Sequence, residues 1–434
     1  MRGAGQYMFD EMGNKYLDCI NNVAHVGHCH PYVVKEGCKQ MSVLSTNCRY
    51  LHDEIVRYAS RLSEKFPGDL SVCFFVNSGS EANDLAIKLA KHYTKGKRLI
   101  CLDHAYHGNV ISVDGISPYK FNHPGATGKP KETYVVPCPD VYRGKYMDKD
   151  YPNEDLGLKY AEEVKEIVSN CQNEGHQIAA FIVESLQSCG GQIIYPKNYL
   201  KNAFRYVREA GGLCIADEVQ IGFGRVGNHM WGFQIYGDDV IPDIVTMGKP
   251  MGNGHPVSAV ITTREIASAY ASRGTYFNTF GGNPVSCAIA NAVMDVIENE
   301  NLQQKAEKVG KYMLQKLKDL KQSHKLIGDV RGHGMFVGID LVECQDTRKP
   351  ATMKADYVIN RAKQKLVVLS SEGPYANIIK IKPPLVFDED DVDHLIQVFE
   401  DILYEIENDE MDFSYLKGNQ TNGEVIKNGI SSHN

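Results

Sequence analysis

Short apolar runs alternate along this chain with amphipathic stretches, and their order predicts the architecture. The runs 70–76, 98–102, 178–184, 213–216, 243–247 and 257–262 are rich in Val, Ile, Phe and Cys, as strands buried on both faces are. Between them, 54–66, the stretch through Leu85 and Ala90, 158–171, 198–210 and 264–271 repeat apolar positions at helical spacing. A longer helix follows residue 284, with Val285, Ile289, Ala292 and Val296 on one face. Such alternation predicts an α/β fold, a mostly parallel sheet covered by helices. In front of it, residues 5–20 alternate apolar and polar positions around Gly13-Asn14, which reads as a β-hairpin. The texture changes after about residue 326. There 327–341, 366–369 and 378–381 read as three short strands, and 388–407 as a capped helix turning Val392, Leu395, Phe399, Leu403 and Ile406 inward. Together they predict a smaller α+β domain. The Pro-, Gly-, Lys- and Tyr-rich stretch 125–153 reads as a surface excursion with little structure of its own, and 408–434 as a disordered tail.

Composition narrows the class without choosing a function. The 434 residues suffice for two domains or one large domain with an appendage, and 43% hydrophobic with 23% charged residues is ordinary for a globular protein. A net charge of −7 offers no basic footprint for nucleic acid or an anionic membrane surface, and no run approaches a membrane span. The 12 cysteines form no CxxC pair, so reduced thiols in an intracellular enzyme are expected. His25, His28, Cys29 and His30 are crowded into six residues without a second cluster, poor spacing for zinc, and no metal is expected. Gly222-Phe-Gly-Arg-Val-Gly227 matches a dinucleotide fingerprint letter for letter, yet no helical pattern follows it, so that reading is set aside.

Candidate chemistry gathers where apolar runs end. Run 243–247 leads to Lys249 among glycines, run 213–216 to Asp217, and run 178–184 ends on Glu184. Open α/β sheets bind ligands at the carboxyl ends of their strands. A lysine in apolar, glycine-rich surroundings is suited to forming a Schiff base, and an aspartate can keep a pyridine nitrogen protonated, the two needs of pyridoxal 5'-phosphate (PLP). Alone, a lysine after a strand is most often a solvated loop residue. The turn Asn77-Ser-Gly-Ser-Glu-Ala-Asn83 changes that weighting, because a strand, a short polar turn and a helix aim free backbone N–H groups at an anion. Tyr106 follows another strand and is placed to lay its ring over a flat ligand.

Taken together, Asn77-Ser-Gly-Ser-Glu-Ala-Asn83, Tyr106-His-Gly108, Glu184, Asp217-Glu-Val-Gln220, Lys249 and Thr279-Phe-Gly-Gly-Asn-Pro284 resemble the class III aminotransferase family of fold-type I PLP enzymes, in the family's order. The resemblance implies a PLP-binding domain over 51–325 and a small domain over 326–407 that the segment 1–50 joins. It also implies a homodimer, or a dimer of dimers, with shared active sites. Carried over by residue, Lys249 holds the cofactor as an imine and Asp217 partners the pyridine nitrogen. Gly79 and Ser80 hold the phosphate, Thr279 reaches the phosphate in the neighbouring subunit, and Tyr106 stacks on the ring. Gln220 approaches the phenolic oxygen, and Glu184 orients the polar network beside it.

Two departures from the ornithine-type pattern point to a branch. Where that pattern has a carboxylate-gripping arginine this chain has Lys380, in Ile378-Ile-Lys-Ile-Lys-Pro-Pro384, and Cys189 stands at the place of the gating glutamate. The bidentate fork is lost. Lys380 and Lys382, two apart on a strand, suit a doubly charged phosphate if both face one side; a pair of solvated lysines stays open as the alternative. Asn21 to Pro31, Ile116 to Phe121, Glu184 to Gln192 and Gly252 to Pro256 resemble the phospho-lyase branch, and Gln187-Ser-Cys-Gly-Gly with Lys249-Pro-Met-Gly resembles its phosphoethanolamine-cleaving members more closely than those acting on 5-phosphohydroxy-lysine. The resemblance therefore implies a carbon–oxygen lyase of phospholipid metabolism that takes a small phosphorylated amine, with mitochondrial location by resemblance and a cytoplasmic alternative. Arg49, Lys380 and Lys382 are the candidates for stabilising the departing phosphate. A lyase acting on 5-phosphohydroxy-lysine, an omega-amino-acid aminotransferase and a non-catalytic relative are the other readings. Relatives carry a segment before the position of Met1, so a short form is expected.

Overall fold

The structure, a computed structural model, describes residues 1–411 except residue 273. Beyond 411 the expected disordered tail lies outside the described residues. A seven-stranded sheet organises the larger part of the molecule, in the order Leu70–Val76, Ser258–Thr263, Ile244–Met247, Leu213–Asp217, Ile178–Glu184, Arg98–Leu102 and Thr133–Val136. Ser258–Thr263 runs antiparallel to both its neighbours, while the pairings from Ile244–Met247 outward are parallel. All seven residues of Ile178–Glu184 are buried, as a central strand covered by helices on both faces requires. The last strand, Thr133–Val136, corrects the sequence reading of 125–153. Part of that stretch adds an edge strand, and Val136 at its end is buried.

Three long helices, Pro31–Val43, Leu302–Ser323 and Thr352–Gln364, and two single-turn ones, Ile111–Asp114 and Pro118–Phe121, were not singled out in the sequence. The stretch 327–341 is a hairpin of Ile327–His333 and Phe336–Cys344 rather than one strand. Ile378–Ile381 and Ser370–Glu372 extend its sheet, and the helix Glu389–Glu407 starts on an Asp388 capping box. The N-terminal hairpin of Tyr7–Phe9 and Lys15–Asp18 forms around Gly13, whose φ of +88° suits glycine. Its strand Lys15–Asp18 pairs in parallel with Val367–Val368, so the two ends of the chain share one sheet. Gln6 and Tyr7 fasten that sheet further by donating to the Asp391 carboxylate at 2.6 and 2.7 Å.

The fingerprint-like stretch 222–227 opens no helix. It carries Arg225, fully buried, which donates to the carbonyls of Met335 at 3.1 Å and Pro383 at 2.8 Å. The loop thus docks the two parts of the molecule on each other. The three histidines near the start each have another partner: His25 the carbonyl of Phe223, His28 the carboxylate of Asp18, and His30 that of Glu300.

Candidate active site

Five strands end at one edge of the large sheet, and the segments at their termini form a cavity of about 460 Å³. Gly79, Ser80, Tyr106, Asp217, Gln220 and Lys249 line it, with Glu184 beside them. Parallel pairing places Glu184 directly opposite Asp217, and Asp217 opposite Thr246. Lys249 lies three residues after Thr246, at the start of a short 3-10 turn, and it is half-buried. The convergence of lysine and aspartate thus follows from strand register.

Asp217 is 4% exposed and gripped on both oxygens. Asn83 Nδ2 and His107 Nδ1 lie 2.8 and 2.9 Å from Oδ2, and the N–H of Val219 donates to Oδ1 at 3.1 Å. Asn83 is oriented in turn by Thr246, whose hydroxyl donates to Asn83 Oδ1 at 2.6 Å. The carboxylate therefore cannot rotate away, and it faces a cavity in which a ring nitrogen would meet it. Neither Asn83 nor His107 received a role from the sequence, although both stand inside the quoted motifs. Glu184 accepts from the backbone N–H groups of Tyr106 at 3.1 Å and Ser188 at 3.0 Å. Burial pushes its carboxyl up to about 7, against the pull of nearby His107.

The other end of the cavity is shaped for an anion. Ser78 caps the sixteen-residue helix Gly79–Thr94, its hydroxyl accepting from the N–H of Glu81 at 3.2 Å. Gly79 and Ser80 of the first turn line the cavity, where the helix dipole favours negative charge. Close approach is built in. A Cβ on Gly79 would meet Val219 at 2.7 Å, and one on Gly108, at φ +130°, would meet Ser80 Oγ at 2.5 Å. A cavity lined by an anion seat, a fixed carboxylate and a lysine fits PLP. Tyr106 supplies a ring on its wall, 5.7 Å from that of Tyr119.

Other sequence candidates stand elsewhere. Thr279 is exposed and lines a second cavity that shares Asn77, His255 and Pro256 with the first. Arg49 is exposed too, with its guanidinium 4.7 Å from the ring centre of Phe277. Lys380 and Lys382 do not face a phosphate together. Lys380 is ion-paired with Glu372 from the adjacent strand, and Lys382 is buried behind Gln220, its amine donating to Ser188 Oγ at 2.5 Å and Gln220 Oε1 at 2.7 Å. The two-residue spacing of the lysines was legible; the separate partners that hold them were not. Cys189, at the expected gate, is half-buried, and burial pushes its thiol up to about 12.

Comparison with known proteins agrees with this geometry. Residues 1–403 match the family Aminotransferase class-III. A Drosophila melanogaster protein named "Alanine--glyoxylate aminotransferase 2-like" is 58% identical over 93% of this chain and 82% of its own length. "Ethanolamine-phosphate phospho-lyase homolog 1" of Caenorhabditis elegans is 46% identical over 93% of this chain and 87% of its own. Among solved structures, a phospholyase from Arthrobacter in complex with phosphoethanolamine superposes with a TM-score of 0.87. It is 38% identical and covers 93% of this chain and 94% of that one. The human "Alanine--glyoxylate aminotransferase 2, mitochondrial" is 38% identical over 93% of this chain and 81% of its own length.

Proposed function

The chain belongs to the class III aminotransferase family of PLP-dependent enzymes, and from that premise we propose that it is a phospho-lyase acting on phosphoethanolamine. The observation that carries the reading is the state of the carboxylate clamp. No arginine is among the described residues lining the cavity, and Lys380, at the clamp's place, is held by Glu372. An amino-acid carboxylate finds no bidentate partner there. The C. elegans relative and the Arthrobacter structure carry phospho-lyase names, which supports the same branch.

Bound PLP supplies an electron sink for the carbon that bears nitrogen. Lys249 is the base that takes the proton from that carbon, and Asp217 keeps the proton on the pyridine nitrogen. With a phosphate ester on the adjacent carbon, the C–O bond breaks and phosphate leaves with the electron pair. Water then converts the remaining enamine to acetaldehyde and ammonia. Arg49 and Thr279 stand on the exposed face that carries Phe277 and Phe280, and in the homodimer we propose they serve the neighbouring subunit's site. A mitochondrial location is part of the same proposal.

A second reading, amino-group transfer, is favoured by the name of the Drosophila relative. One assay separates the two. The holoprotein is incubated with phosphoethanolamine and no keto acid, with 5-phosphohydroxy-lysine in parallel, and inorganic phosphate and aldehyde are measured. Equal release of phosphate and acetaldehyde is the expected result. Turnover only when glyoxylate or pyruvate is added, with phosphate retained, would overturn the lyase in favour of the aminotransferase.

A further inference from the structure

Gln220 stands on the cavity wall with its amide oxygen turned away from the cavity, and three donors from different parts of the chain explain why. Lys382 Nζ lies 2.7 Å from Oε1, Asn22 Nδ2 lies 3.1 Å away and Ser188 Oγ 3.4 Å. Burial pushes the Lys382 amine well below the usual lysine range, yet even the neutral amine carries two N–H groups, one for Ser188 Oγ and one for the amide oxygen of Gln220. The amide NH2 is thereby left for the cavity. Lys382 is 1% exposed and has no carboxylate partner among the described residues. Its amine rests on Ser188 Oγ and Gln220, and its backbone N–H donates to the carbonyl of Cys19 at 2.8 Å. It enters from the end of Ile378–Ile381, and Asn22 from the N-terminal segment, both outside the sheet that carries Gln220.

We infer that Lys382 is a positioning residue: together with Asn22 it locks the Gln220 amide so that its NH2 is a permanent donor to the phenolic oxygen of bound PLP. The inference concerns the cofactor site alone, and it stands whichever substrate the protein takes. A donor on that oxygen draws its negative charge away from the neighbouring imine nitrogen, which favours loss of the imine proton. Releasing the amide lets it turn its oxygen toward the cavity, and the imine then holds its proton to higher pH.

The test is a pH titration of the visible absorbance of holoprotein in wild type, Lys382→Met, Gln220→Ala and the double variant. Lys382→Met is expected to raise the midpoint by up to about one pH unit, the worth of one buried hydrogen bond. Gln220→Ala raises it similarly, and the double variant no further than Gln220→Ala. A Lys382→Met midpoint equal to wild type overturns the inference. So does an additive shift in the double variant, because a lysine acting through its charge would act equally without Gln220. If Lys382→Met does not fold, Asn22→Ala replaces it in the same cycle, with a smaller upward shift expected and the same two outcomes overturning the idea. A Lys382→Met variant with raised KM for phosphoethanolamine and an unmoved midpoint would make Lys382 a substrate ligand instead.

Discussion

At the scale of single residues, the site is decided by what surrounds Asp217. Its residue type and its place after an apolar run were readable in the sequence, since an acid ending a buried strand is conspicuous. Its partners were not, because Asn83, His107 and Thr246 come from segments far apart and meet only when the strands pair. Asp217→Asn tests the assignment. An amide accepts the same contacts poorly and carries no charge to hold a proton on the ring nitrogen. Turnover is expected to fall roughly 10²- to 10⁴-fold, the span of a lost proton-holding group. The variant's visible absorbance on addition of PLP should persist, since Lys249 is untouched. Loss of less than tenfold in steady-state turnover would remove Asp217 from the chemistry.

At the scale of elements, the strands and the phosphate-seat helix were legible because each has one unambiguous period. Leu302–Ser323 was equally legible in hindsight. Its buried Leu302, Ala306, Val309, Met313, Leu317 and Leu320 step by three and four, but the lysines between them disguise the stripe. The hairpin within 327–341 was hidden because its turn falls at Gly334, φ +56°, in a stretch already rich in glycine. The tight seat at the start of Gly79–Thr94 gives a prediction of its own. In Gly108→Ala the new methyl would press on Ser80 at a backbone angle that disfavours side chains, costing about 1–3 kcal/mol. Because Ser80 belongs to the anion seat, weaker PLP binding is expected with thermal unfolding only modestly earlier. Fluorescence titration of apoprotein with PLP measures it, and an unchanged dissociation constant would contradict the seat.

At the scale of the whole molecule, stability is tied to a buried neutral histidine where the two parts meet. His25 Nε2 lies 2.7 Å from the Phe223 carbonyl, and Arg225 lies 3.3 Å from Nδ1. Nε2–H donates and Nδ1 accepts, so the neutral ring is fully partnered. Burial first, and the Arg225 charge second, push it down to about 3 from an ordinary 6.5. Between those values the unfolded chain binds a proton that the fold refuses, so this contribution is complete above pH 6.5 and is lost as pH falls toward 3. Urea midpoints for His25→Gln should therefore fall less steeply than wild type below pH 6.5. Parallel curves would show that His25 does not set the acid limit. Glu184 and Glu218, both raised to about 7, act in the opposite sense in both proteins and cancel in the comparison.

The shared sheet of the two chain ends bears on how the protein is made. Lys15–Asp18 leaves the ribosome well before its partner Val367–Val368 and the Asp391 anchor do. Until those segments arrive Leu17 and Cys19, which end up buried, lack the cover they contribute. Closing contacts more than 380 residues apart also makes the last step of folding slow. The strand Lys15–Asp18 is thus a natural client for a chaperone until the helix Glu389–Glu407 arrives.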